Sequence, residues 1–198
     1  MYRLVLLSIA FVAACGSPQT EESAQTARPA EVVEQEADPL EEFHAKAKAS
    51  TNRLQLELKQ ELSAAMKASG PAGALEVCSE RAAALTAEVS ERTGLDVRRV
   101  SLRNRNPENQ ATVGEASVLA MMAAREDLVD TMIVRDGSPL YMRAIRINTP
   151  VCLTCHGPKE DLAPEVLDQL NALYADDRAT GFSEGDLRGA FVVKPLPQ

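Results

Sequence analysis

The 198-residue chain, 45% hydrophobic and 25% charged, supplies material for one globular domain and a tail, not for two full domains. Its formal net charge of -8 and sequence pI near 4.9 argue against nucleic acid as a partner, because every phosphate would repel it. No internal repeat is evident.

Residues 1–14 read as a signal peptide. Arg3 gives a positive start, and residues 4–14 are apolar apart from Ser8, a run too short to span a bilayer. Val12-Ala13-Ala14-Cys15-Gly16 resembles the lipobox of bacterial lipoproteins, in which the cysteine, here Cys15, is acylated and anchors the chain to the lipid bilayer. The alternative, a soluble secreted protein cut nearby, equally places the chain outside the cytoplasm. Gly16-Ser17 lacks the Asp that resembles an inner-membrane retention signal, which favours the periplasmic face of the outer membrane. Residues 15–39, rich in Glu, Gln, Ala, Ser and Pro and without aromatics, read as a flexible acidic tether.

A domain spanning residues 40–198 follows. Leu54, Leu58, Leu62 and Met66 recur at steps of four and predict a long amphipathic helix over 40–69, stopped by Gly70-Pro71. A second helix is expected over 72–92, with Leu75, Cys78, Ala82, Leu85 and Val89 on one core-facing stripe and Gly94 past its end. Residues 97–102 suggest a strand, 104–107 a loop and 114–128 a helix. Two β-rich runs, 131–135 and 140–148, flank the turn Asp136-Gly137-Ser138-Pro139. A short helix over 164–174 and a strand over 189–194 complete an α+β domain, long helices first and then a mostly antiparallel sheet.

Between Pro150 and the last helix, Cys152-Leu153-Thr154-Cys155-His156 matches CxxCH, the attachment sequence of c-type haem, and is expected in a loop. Two thiols at this spacing reach the two vinyl groups on one porphyrin edge while the adjoining imidazole meets the iron. One covalent haem c is therefore expected, on Cys152 and Cys155, with His156 as proximal ligand. Two other readings use the same residues. Zinc would recruit Cys78, Cys152, Cys155 and a histidine from scattered positions, and a thioredoxin-like CxxC would need a βαβ unit. Both fit less well. The distal ligand is open among Cys78, His44, Met66, Met121, Met122, Met132 and Met142. Cys78 stands out as an unpaired core-facing thiol in an oxidising compartment, whereas His44 is expected to be solvent-exposed. One or two of Arg98, Arg99, Arg103, Arg105, Arg143 and Arg146 are expected to meet haem propionates.

Glu76-Val77-Cys78-Ser79-Glu80, Arg105-Asn106-Pro107-Glu108-Asn109, Cys152 to Gly157, and the run from Asp176 to Phe182 through Gly185-Asp186 to Gly189-Ala190 carry a wider resemblance. In this order they resemble a group of bacterial c-type haem proteins with a PAS-like α/β core. The resemblance implies a PAS-like antiparallel sheet and iron held by His156 and by the thiolate of Cys78. A thiolate opposite a histidine closes both axial positions and stabilises ferric iron, so substrate oxidation, and with it an enzymatic role, is not expected. The expected role is a redox or small-gas sensor, responsive to NO or CO and signalling to another extracytoplasmic protein. A single-haem electron carrier is the alternative. A peroxidase would need a vacant site with an acid/base group, for which only His44 remains.

Overall fold

The computed structural model describes residues 38–197, so the signal peptide, Cys15 and most of the tether lie outside the described residues. Helix α1 (Pro39–Thr93) opens with the Asp38 side chain accepting from the Leu40 amide at 2.9 Å and ends at Gly94 in the left-handed conformation. It is broken once, at Gly70, whose φ of 68° and ψ of -173° belong to a region only glycine occupies readily. Pro71 follows, where its ring and missing amide would be unfavourable in a continuous helix. The two helices expected from the sequence are thus the two arms of one kinked element.

Strands β1 (Leu95–Val100), β2 (Asp130–Arg135), β3 (Ser138–Arg146) and β4 (Leu187–Pro195) form one antiparallel sheet in the order β1-β4-β3-β2. The β2–β3 hairpin turns through Asp136 and Gly137, with φ of 51° and 76°, leaving Ser138 and Pro139 inside β3. Alternation along the central strands sends side chains to two faces. Tyr141, Phe191 and Val193 pack with Ala47, Leu54, Leu85 and Val89 of α1. Met142, Ala190 and Val192 pack with Val118, Leu119 and Met122 of α2 (Val113–Ala124). The sheet is therefore covered by α1 on one side and α2 on the other, and β4 is buried from Gly189 to Val193.

Helix α2 is shorter than the expected 114–128. It starts at a capping box between Thr112 and Glu115, and Glu115, 1% exposed, also meets Arg98 and the Lys194 ammonium, the latter at 3.3 Å. Burial works to raise the Glu115 pKa, but the Thr112 amide and the two cations outweigh it and hold the carboxyl below its ordinary value. Arg98 is thereby committed to the α2 face of the sheet.

Helix α3 (Pro150–His156) corrects the expectation of a loop around the CxxCH sequence. Pro150 at the first turn is compatible with helix, and seven residues are too few for hydrophobic periodicity to reveal one. Helix α4 (Pro164–Leu173) packs Val166 and Leu170 on Leu75 of the second arm of α1, beside Cys155. Among the described residues, no helix is long and apolar enough to cross a membrane.

Candidate cofactor site

Both arms of α1, helix α3 and the sheet line a cavity of about 250 Å3. Cys78, Cys152, Cys155 and His156, from segments almost eighty residues apart, all line it. The cavity shares Leu62, Met66, Val151 and Cys152 with an outer groove of about 410 Å3, flanked by Lys59 and Lys67. Together they offer the space of a typical cofactor pocket, on the order of 300–1,000 Å3.

The orientation of His156 is fixed by main chain. Its Nδ1 lies 2.7 Å from the Ala179 carbonyl oxygen, so the proton sits on Nδ1 and Nε2 keeps a free lone pair. Burial, then the charges of Arg188 and Arg105, hold the imidazole well below its ordinary pKa and keep it neutral, against the opposing bond to Ala179. The segment that supplies this carbonyl is strapped to α3: the Gly181 amide donates to the Gly157 carbonyl at 2.6 Å, and the Phe182 amide to that of His156 at 2.9 Å. Arg105 locks the strap from below. It pairs with Asp177 at 3.1 Å, both side chains 9% exposed, and donates to the carbonyls of Cys155 at 2.6 Å and Ala179 at 3.3 Å. Asp177 in turn accepts from the Ala179 amide at 2.8 Å. Arg105 and the 176–182 segment thus hold three consecutive residues between them, Cys155 through Arg105 and His156 and Gly157 through the segment.

Cys78, Cys152 and Cys155 are free thiols. Burial and the neighbouring Cys155 push the Cys78 thiol up, opposed by Arg99 and Arg105. Burial likewise raises Cys155. Cys78 is only half-buried and faces the cavity, not the packed core.

Among the other distal candidates only Met66 reaches the cavity. Met122 and Met142 are fully buried on the α2 face, Met132 packs at the α1 face, and Met121 is exposed. His44 is a correction: it is half-buried, with its ring 5.5 Å from that of Tyr141, because capping by Asp38 starts α1 early enough to lay this turn on the sheet. Of the six arginines considered from the sequence, Arg99, Arg105 and Arg146 line the cavity. Arg146 is spent on the carbonyls of Gly185, Met122 and Arg125. Arg103 donates to the carbonyl of Thr180 and lies over the Phe182 ring at 3.9 Å. Arg98 is held by Glu115, and Arg143 does not line the cavity. Arg188, at the cavity wall, was not among the candidates. It stands alone at the start of β4, outside any cluster in the sequence. No cluster of three or more His, Cys, Asp or Glu with metal-binding geometry occurs among the described residues.

The Tll0287-like family model matches residues 22–195, nearly the whole chain. The chain belongs to the Tll0287-like family. Its fold is similar to the crystal structure of the cyanobacterial heme-protein Tll0287, with a TM-score of 0.65 and 26% sequence identity. That match covers 82% of this chain and 99% of the other. No curated protein gives a significant match. For this member of the Tll0287-like family, the donor set at the cavity is a pair of thiols, a third thiol and an imidazole with one nitrogen free, a set suited to a covalently held porphyrin.

Proposed function

We propose that this chain is an exported c-type haem protein, anchored through acylated Cys15 to the periplasmic side of a bacterial membrane, that senses redox state or a small gas. The observation that supports it best is the convergence of Cys78, Cys152, Cys155 and His156 on one cavity. The family relationship to a heme-protein supports the cofactor. In this reading Cys152 and Cys155 would hold the haem through thioether bonds, and His156, through Nε2, and Cys78, through its sulfur, would ligate the iron. When bound, the haem would supply a one-electron couple and a site for NO or CO. The antiparallel sheet with a long helix on one face supports the PAS-like reading of the fold.

Cys78 lies two turns beyond the Gly70 break, so losing its hold on the metal frees the second arm of α1 to move about that hinge. This motion is the proposed signal, passed to an extracytoplasmic partner. An electron carrier is the second reading, favoured by the outer groove beside Cys152, where Lys59 and Lys67 mark an edge open to a partner. Absorption and EPR titration across potential, with and without CO or NO, separates the two. A sensor loses thiolate ligation on reduction and binds the gas; a carrier keeps both ligands and does not. An enzymatic role is not proposed, since His44 packs on Tyr141 and does not line the cavity.

A further inference from the structure

Four guanidinium groups face the cavity, and one of them has an ion-pair partner among the described residues. Arg99, Arg105, Arg146 and Arg188 line it. Arg105 has its carboxylate in Asp177, and Arg146 is engaged by three carbonyls. Arg99 and Arg188 have no carboxylate within ion-pair distance among the described residues. Arg188 spends Nη1 on the Ser101 hydroxyl and the Arg103 carbonyl, both at 3.1 Å, and its buried Nε has no partner. Burial and then the charge of Arg105 lower its pKa, against the opposing charge of Asp177, only to about 10, so it remains charged. A buried guanidinium that cannot shed its proton needs an anion to offset its desolvation.

Resting on the haem reading above, we infer that Arg99 and Arg188 clamp the two propionates of the haem, which turn inward to the β1 and β4 strands. The clamp puts two carboxylates where two unpaired cations wait, and guanidinium matches carboxylate in a bidentate way that a lysine does not. The competing orientation turns the propionates outward to Lys59 and Lys67 at the groove.

The test uses mature, haem-loaded protein. Arg99→Gln and Arg188→Gln are compared with a Lys59→Ala, Lys67→Ala double variant by resonance Raman of the propionate bending modes and by redox potentiometry. Each arginine variant should shift a bending mode and lower the potential, because losing a nearby cation favours the ferric state. The lysine variant should leave the bending modes unchanged. Arg99→Lys and Arg188→Lys, which keep the charge and the packing, should restore the potential while the bending mode stays shifted, a pattern that loss of packing does not produce. Shifts in the lysine variant with none in the arginine variants would overturn the clamp while leaving haem attachment intact. A wild-type protein that carries no haem would instead refute the cofactor reading itself.

Discussion

The ring of His156 is aimed by the carbonyl of Ala179, which accepts from Nδ1 at 2.7 Å and also from Arg105 at 3.3 Å. One oxygen therefore ties the imidazole to the buried Arg105–Asp177 pair. The ring's direction depends on a segment more than twenty residues downstream, not on its own helix alone.

Covalent attachment is tested by mass. Protein matured with a c-type assembly system should gain the mass of one haem that survives acid and organic solvent. Cys152→Ala and Cys155→Ala together should abolish that gain. A wild-type chain of unmodified mass, or one carrying stoichiometric zinc, would contradict the assignment.

Replacing the distal thiol should change the metal and not the attachment. Cys78→Ala should lose the low-spin thiolate EPR signature, raise the potential and bind CO more readily when reduced, with the haem mass unaltered. Met66, which faces the same cavity, is the expected substitute ligand, so Met66→Ala added to Cys78→Ala should leave the ferric form high-spin. An unchanged ferric spectrum in Cys78→Ala would reduce Cys78 to a packing residue.

The hinge of α1 makes a separate prediction. Gly70→Ala places a side chain at φ 68° and ψ -173° and should cost on the order of 1–3 kcal/mol. In a sensor it should also alter the gas affinity of the ferrous protein, although residue 70 does not line the cavity. Lower thermal stability with unaltered gas affinity would separate the kink from signalling.

The acid limb of stability should run through Glu115. Its carboxyl is held below the ordinary value in the fold, so it contributes stability above its unfolded pKa that is lost as pH falls through the lower, folded one. Glu115→Gln should destabilise the domain near pH 7 by about 1–3 kcal/mol through loss of charge-assisted bonds. The deficit should shrink below the ordinary carboxylate range, where the wild-type group protonates as well. A deficit independent of pH would mean that shape and not charge sets the contribution.

Membrane attachment is expected to depend on Cys15 alone. Wild type should partition with membranes and carry an acyl mass at this cysteine, and Cys15→Ala should be soluble or mistargeted. A fully soluble wild type would refute the anchor.

Local pattern revealed most of the elements. The four-residue spacing from Leu54 to Met66, the Gly70-Pro71 break and the Asp136-Gly137 turn each bear on neighbours in sequence, and the fold keeps them. What stayed hidden was long-range. Insertion of β4 between β1 and β3 pairs Val97 with Val193, a register no local window contains. The same pairing brings Arg188 to the cavity wall, and without it an isolated arginine looks like any surface residue. The CxxCH spacing singled out three residues that line the cavity, and the lack of a partner singled out a fourth, Cys78. The role of Arg105 became readable only through Asp177 and the strap that both hold.

That strap bears on how the site withstands sequence drift. The bonds from Gly181 to Gly157, from Phe182 to His156, and from His156 to Ala179 end on peptide carbonyls, which every amino acid carries. Point substitution at position 179 leaves its oxygen in place. Inserting or deleting one residue between α4 and β4 moves all three acceptors or donors out of register together. At these three bonds the aim of His156 is therefore carried by main chain and is vulnerable to a change in the length of this loop.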